Sequence, residues 1–263
     1  MTRKVLAVLL LAHPATAQDD DAWLQNLAVL QLSPQEIDRR GIMLTQLGTI
    51  HLPSGRIVAV DPYTAFGLTP FDRRAPPGNY AVRLWFAATE PTRPALAELR
   101  LRACTPVFWH NAAPEGRSLL GLAPGEGYGV AVDAGTSSFA PPEFFETFGP
   151  VTDGVLQGDA YFSFVNETLF PLAFPDDTGI PRDFITQNGG QDIAVFSAGW
   201  GDGFYFSYWG FDDLGCPCAL VTDFGVLEEG YPYDSTALRL PGPRARKAPP
   251  FAIWGRDAAC VDG

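Results

Sequence analysis

Turn-forming residues set the frame for this chain. Twenty-seven glycines and 24 prolines are scattered along it. Proline breaks helix interiors and glycine weakens them, so long helices are excluded and many short strands joined by turns are favoured. The 46% hydrophobic content is enough to fill a core between such strands.

The periodicity agrees. Leu47, Thr49 and His51, then 56–60, alternate as two strands, with Pro53-Ser54-Gly55 between them as a hairpin turn. Gly78-Asn79 opens a strand over 80–88, with Tyr80, Val82, Leu84 and Phe86 on one face. Further strands are expected at 95–102, 107–110, 127–132, 193–197, 204–209 and 219–224. Pro141-Pro142-Glu143 opens a helix through Phe144, Phe145 and Phe148, and 156–170 reads as helix or loop. The polar, Gly-rich stretch 176–192 reads as a loop, and Gly199–Gly203 as a turn.

The two ends differ from this middle. Arg3 and Lys4 precede a short apolar run over 5–12, followed by Ala15-Thr16-Ala17. This is the pattern of a cleavable signal peptide over 1–17, with Gln18 as the new N-terminus. The run is far shorter than the roughly 20 residues of a membrane anchor. Residues 18–45 read as a short helical segment, with Ser33 as N-cap and Pro34 in the first turn. A Pro-rich extended tail occupies 230–263, after a β-rich domain over 46–229. The fold class expected is mainly β with some α. It is one compact domain, with antiparallel sheets in a sandwich- or barrel-like arrangement and short helices.

Loss of the leader leaves 16 Lys+Arg against 30 Asp+Glu, a net charge of −14. So acidic a chain is unsuited to nucleic acid or to anionic membrane surfaces. Only His51 and His110 then remain as histidines. The four cysteines, Cys104, Cys216, Cys218 and Cys260, read as disulfides in an exported chain. A Cys216–Cys218 bridge would close a strained ring across Pro217, so each of the two is expected to reach Cys104 or Cys260. The spacing of Cys216-Pro217-Cys218 is shorter than structural zinc sites use, so no metal and no cofactor is assigned.

The chain has no G-x-S-x-G elbow, P-loop, H-E-x-x-H or G-x-G-x-x-G. Carboxylates and aromatics remain. Asp133, in Val132-Asp133-Ala134-Gly135-Thr136, sits where a strand stops, suited to acid–base work or to bonding its own turn. Asp202 lies in Gly199-Trp200-Gly201-Asp202-Gly203, and Asp212 and Asp213 lie in the next turn. In the strand between, Phe204, Phe206 and Tyr208 oppose Tyr205, Ser207 and Trp209. One set should be core. The other, with Trp200 and the flanking acids, would offer a platform to a sugar, peptide or protein partner. Trp200, Tyr205, Trp209, Asp212 and Asp213 are the candidate binding residues.

Several blocks in order then carry a resemblance. They are Ser54-Gly55-Arg56-Ile57-Val58-Ala59-Val60-Asp61-Pro62, Pro77-Gly78-Asn79-Tyr80-Ala81-Val82, Gly127-Tyr128-Gly129-Val130 with 132–136, Phe196-Ser197-Ala198-Gly199-Trp200-Gly201-Asp202-Gly203, and Tyr208-Trp209-Gly210 with Val221-Thr222-Asp223-Phe224. Over about 45–228 the chain resembles the bacterial domain of unknown function 4241 family. It departs from the family's Tyr-Pro-Val block at Tyr80-Ala81-Val82 and from its Gly-Asp-Gly-x-Tyr-Pro block at Phe204-Tyr205-Phe206. The resemblance implies a shared role for Asp61, Asp133, Asp202 and Asp223 and supplies no activity.

Two functions fit these residues. The first is an exported, non-catalytic binding protein. The alternative is a carboxylate-dependent hydrolase using Asp133 and Asp202. The export reading predicts that intact-mass analysis of the protein recovered outside the cytoplasm finds Gln18 as its first residue. A chain still beginning at Met1 would remove the reading.

Overall fold

The computed structural model describes residues 26–89, 91–123, 126–176, 181–227 and 246–247. The expected leader, most of the Pro-rich tail and Cys260 lie outside them. A 3-10 turn (Ala28–Gln31) and helix α1 (Pro34–Arg39) lead into strands β1 (Met43–Leu52), β2 (Val58–Val60), β3 (Gly78–Ala87), β4 (Arg93–Arg100), β5 (Phe108–Asn111), β6 (Gly129–Val132) and β7 (Thr136–Ala140). Helix α2 (Pro142–Glu146) follows, then strands β8 (Val151–Thr152) and β9 (Val155–Leu156). A helical run comes next, made of α3 (Ala160–Phe164), a π turn (Val165–Leu169) and α4 (Phe170–Ala173). Strands β10 (Phe184–Asn188), β11 (Gln191–Ser197), β12 (Gly203–Phe211), β13 (Pro217–Asp223) and β14 (Arg246–Lys247) complete the order.

Three sheets result. An eight-stranded sheet runs β1-β3-β4-β13-β12-β5-β14, with β6 also pairing β12. A four-stranded sheet runs β10-β11-β7-β2, and β8 pairs β9. Every pairing is antiparallel except β14 on β5. The molecule is therefore mainly β, with antiparallel sheets and a few short helices.

The four-stranded sheet is the middle layer. Ala59, Phe139, Ala194 and Phe196 on one face join the core shared with the large sheet. Val58, Val60, Ala140, Ile193 and Val195 on the other face pack on Phe144, Phe145, Tyr161, Val165 and Leu169 of the helical segments. Alternate residues face opposite ways, so a strand dry on both sides reads as a continuous apolar run. Ile193-Ala194-Val195-Phe196 is such a run.

The N-terminal reading holds at α1, where the Ser33 side chain accepts from the Glu36 amide and Pro34 opens the helix. Two other expectations change. The stretches 47–51 and 56–60 do not form a hairpin: β1 pairs β3 in the large sheet, and β2 pairs β7 in the middle one. The chain changes layers across Pro53-Ser54-Gly55, so the turn joins two sheets rather than two neighbouring strands. The expected loop 176–192 contains β10, paired with β11 through Asn188-Gly189-Gly190-Gln191. Both glycines have positive φ, +56° and +79°, which matches the two-residue turn whose twist suits a hairpin. The polar strand β10 lacks the apolar alternation that would reveal it, and β7, with Thr136, Ser137 and Ser138 all buried, was missed for the same reason.

On the far face of the large sheet, residues 26–31 cross the strands. Asn26 Nδ2 donates to Asp223 Oδ2 (3.0 Å), Gln31 Nε2 donates to the Pro106 carbonyl (3.0 Å), and Leu27 to Leu30 enter the core. Glu98 on β4 is wholly buried. It accepts from Arg83 Nε (3.0 Å) and Nη2 (2.6 Å), Trp85 Nε1 (2.9 Å) and Arg100 Nη1 (3.4 Å). Burial holds the Arg100 guanidinium below its ordinary pKa. Removing the carboxylate strands two cations against the sheet. Glu98→Ala is expected to lower unfolding free energy by about 3–5 kcal/mol in urea titrations. Arg39→Ala, at an exposed pair with Glu36, should change it by less than about 0.5 kcal/mol.

Candidate functional site

The two acids singled out by sequence, Asp133 and Asp202, come together. Strand β6 pairs β12 with Val132 opposite Gly203, so the residue after β6 and the residue before β12 lie at one end of the sheet. Asp202 Oδ1 accepts from the Gly135 amide at 3.0 Å, joining the two turns. Both aspartates are exposed.

A third carboxylate organises this end, one that the family resemblance groups with Asp133, Asp202 and Asp223 without giving it a role. Asp61 follows β2 and is wholly buried. Its Oδ2 accepts from the amides of Asp133 and Ala134, each at 2.8 Å, and its Oδ1 accepts from the Tyr63 amide at 2.9 Å. Asp61 thus fixes the β6–β7 turn to the end of β2. Burial raises its pKa above 3.8; the amides oppose the shift, and the neighbouring Asp133 charge adds to it. Burial likewise pushes the Tyr63 and Tyr161 phenols up. An aspartate at the end of a strand would signal such an acceptor only if the turn it reaches, 72 residues away, were known.

The other acids also serve backbone amides. Asp212 Oδ1 accepts from Leu214 (3.0 Å) and Cys216 (2.8 Å), while Oδ2 lies 3.6 Å from Arg102 Nη1. It is an Asx turn. Asp213 beside it is exposed. Asp223 accepts from Asn26 and from the Gly225 amide (2.9 Å), away from Asp61. Asp192 accepts from the His51 amide (2.6 Å), and Asp183 from the Ser197 amide (2.8 Å). Burial raises the Asp183 pKa.

The aromatic strand divides across its pleat. Tyr205, Ser207 and Trp209 point into the core, with 8%, 0% and 1% of their surface exposed. Tyr205 and Trp209 are therefore packing residues and not part of an open platform. Tyr205 stacks edge-on with Phe224, and Trp209 with Phe71. The other side is open only where the strand begins, since Tyr208 on that side is also buried. Phe204 is 56% exposed, its ring centroid 5.5 Å from that of the half-buried Phe206, which lies 6.4 Å from Tyr208. The Phe204 ring lies across β6 at Gly129, where a Cβ would stand 2.7 Å from it. Trp200 is also exposed, with the Arg93 guanidinium 4.8 Å from its ring centre.

Cys104 is bonded to Cys218, and Cys216 is also oxidised. The expectation that the Cys216/Cys218 pair does not bond to itself holds for Cys218. Cys104, Asp212 and Cys218 are the one trio of potential metal ligands among the described residues. Its two sulfurs are bonded to each other, so neither offers a thiolate.

The arrangement of blocks along the chain now has its counterpart. The family described as Protein of unknown function (DUF4241) matches residues 50–222, from the end of β1 to β13. This chain belongs to that family. No match is found among curated proteins or among solved structures. The DUF4241 region holds Asp61, Asp133, Asp202 and the Phe204–Phe206 ridge, while the crossing segment 26–31 lies before it.

Asp61→Ala leaves three amides without their acceptor and is expected to cost about 2–4 kcal/mol. Because burial raises the folded pKa, the stability linked to Asp61 titration is fully present below pH 3.8 and is lost as pH rises through the folded value. The gap between wild type and Asp61→Ala in urea titrations should therefore narrow as pH rises through that value. A gap that widens would contradict the assignment.

Proposed function

We propose that this protein is an exported, non-catalytic binding module. Its ligand-facing surface is the ridge of Phe204 and Phe206 at the Asp133–Asp202 end of the large sheet. The observation that carries this reading is the division of labour between side chains. Asp61 and Asp202 hold backbone amides, while the exposed Phe204 ring stands beside them with the half-buried Phe206 next to it. Contiguous exposed apolar surface rimmed by polar residues marks interaction sites. Flat rings bordered by carboxylates suit a sugar face or an extended peptide with a basic group. Export is supported by the leader-like residues 1–17 and by the disulfide. No helix among the described residues is long and apolar enough to cross a membrane.

A carboxylate-dependent hydrolase is the second reading, favoured by one observation: the exposed Asp133 lies beside Asp202 at one sheet end. Glycosidase chemistry would need the two carboxylates on opposite sides of one bound bond. The anchoring of Asp202 to the Gly135 amide supports a turn-holding role instead.

Glycan and peptide arrays probed with the oxidised mature protein separate the two. Binding without turnover is expected, and Phe204→Ala should weaken it by about tenfold or more, as for an aromatic anchor. Asp133→Ala should leave affinity within about twofold, the range of a rim charge. Hydrolysis by wild type that disappears in Asp133→Ala, with folding intact, would establish the enzyme instead.

A further inference from the structure

A separate cavity lies on the other side of the middle sheet, near the turn that carries the chain between layers. It holds about 260 Å³, below the roughly 300 Å³ at which drug-sized ligand sites begin. Its lining includes Arg56, Thr69, Glu115, Phe145, Glu146 and Gly154.

Arg56 is held there by its own turn. Gly55 has φ +71°, and a Cβ on it would fall 1.8 Å from the Ala75 carbonyl oxygen. Only glycine fits, and the Ala75 amide then donates to the Gly55 carbonyl at 2.9 Å. The Ser54 hydroxyl accepts from the Arg56 amide (3.3 Å). Ser54-Gly55-Arg56 is one of the blocks read from the sequence, and the aromatic ridge makes no use of it.

The charges around the cavity are unequally matched. Arg56 Nη2 lies 3.3 Å from Glu115 Oε2, and Arg74 Nη2 lies 3.6 Å from Glu115 Oε1. Two guanidiniums thus share one carboxylate, so the Arg56–Glu115–Arg74 group carries one net positive charge, with Arg56 and Glu115 lining the cavity and Arg74 outside its lining. Arg56 remains partly open, at 28% side-chain exposure. Glu146, at the last turn of α2, is exposed and has no ion pair among the described residues. The buried Phe145 ring supplies an apolar patch between these charges.

We infer that this cavity binds a small zwitterion of the free α-amino acid class, its carboxylate on Arg56 and its ammonium on Glu146. A lone anion would meet Glu146, and a lone cation would meet Arg56. A ligand carrying both charges satisfies both sides, and charge-assisted bonds give each contact weight. The inference does not rest on the aromatic ridge.

The test is a heteronuclear NMR titration of the oxidised mature protein with free L-leucine, N-acetyl-L-leucine and L-leucinamide. Free leucine is expected to give saturable shifts at the amides of Leu68, Thr69 and Gly154. The N-acetyl and amide forms, each lacking one charge, should bind about tenfold or more weakly. Glu146→Gln, at an exposed unpaired site, should weaken leucine about tenfold without moving the melting temperature, and Arg56→Gln should do the same. Phe204→Ala should leave leucine binding unchanged. Absence of saturable shifts with leucine would overturn the inference, as would equal binding of the two blocked forms. So would a Glu146→Gln protein that melts and binds as wild type does.

Discussion

Burial of the middle sheet on both faces is the constraint from which the rest follows. Strands β2, β7 and β11 have no solvated side on which to leave a turn unsatisfied. A buried backbone amide without a partner costs about 1–3 kcal/mol, so each strand end needs an acceptor. Side chains provide it. Asp61 receives three amides where β2 ends, Asp183 receives the last residue of β11, and Asp192 at the start of β11 receives His51 of β1. The last bond also ties the middle sheet to the large one. Asp202 repeats the pattern where β6 turns into β7.

That accounting changes the meaning of the acidic composition. Thirty acids and three histidines point to carboxylate chemistry when nothing else is known. In the folded chain, Asp61 and Asp202 at the candidate site are hydrogen-bond acceptors for the backbone, and Asp133 is left exposed beside them. The large sheet uses its charge differently. Glu98 gathers two arginines and an indole on one strand pair, with segment 26–31 covering the same face. The chain thus commits several acids to holding shape, and it leaves a ring-bearing sheet end and a small charged cavity open.

Much of the architecture was legible. Strands β3, β11, β12 and β13 carry apolar runs or alternation that no helix would produce, and Ser33-Pro34 marked α1 by cap chemistry alone. The partnership of β1 and β2 was not legible. Both strands flank an ordinary turn, and only burial on opposite layers sends one to β3 and the other to β7. Strands β7 and β10 escaped because each sets three polar residues beside two adjacent apolar ones, the serines of β7 being tolerated inside by main-chain pairing and by the Ser138 bond to the Val60 carbonyl.

The sequence by itself determined the class of fold, the family, the turns at Gly199–Gly203 and 212–215, and the short list of acids and rings. Those follow from local rules: residue periodicity, cap and turn chemistry, and the order of short motifs. Tertiary structure alone decided which face of β12 is open, that Asp61 rather than Asp133 is the buried carboxylate, and that Arg56 and Glu146 line one cavity. These are matters of which distant segments meet. A strand's pattern shows that its two faces differ, but not which face the next layer will cover.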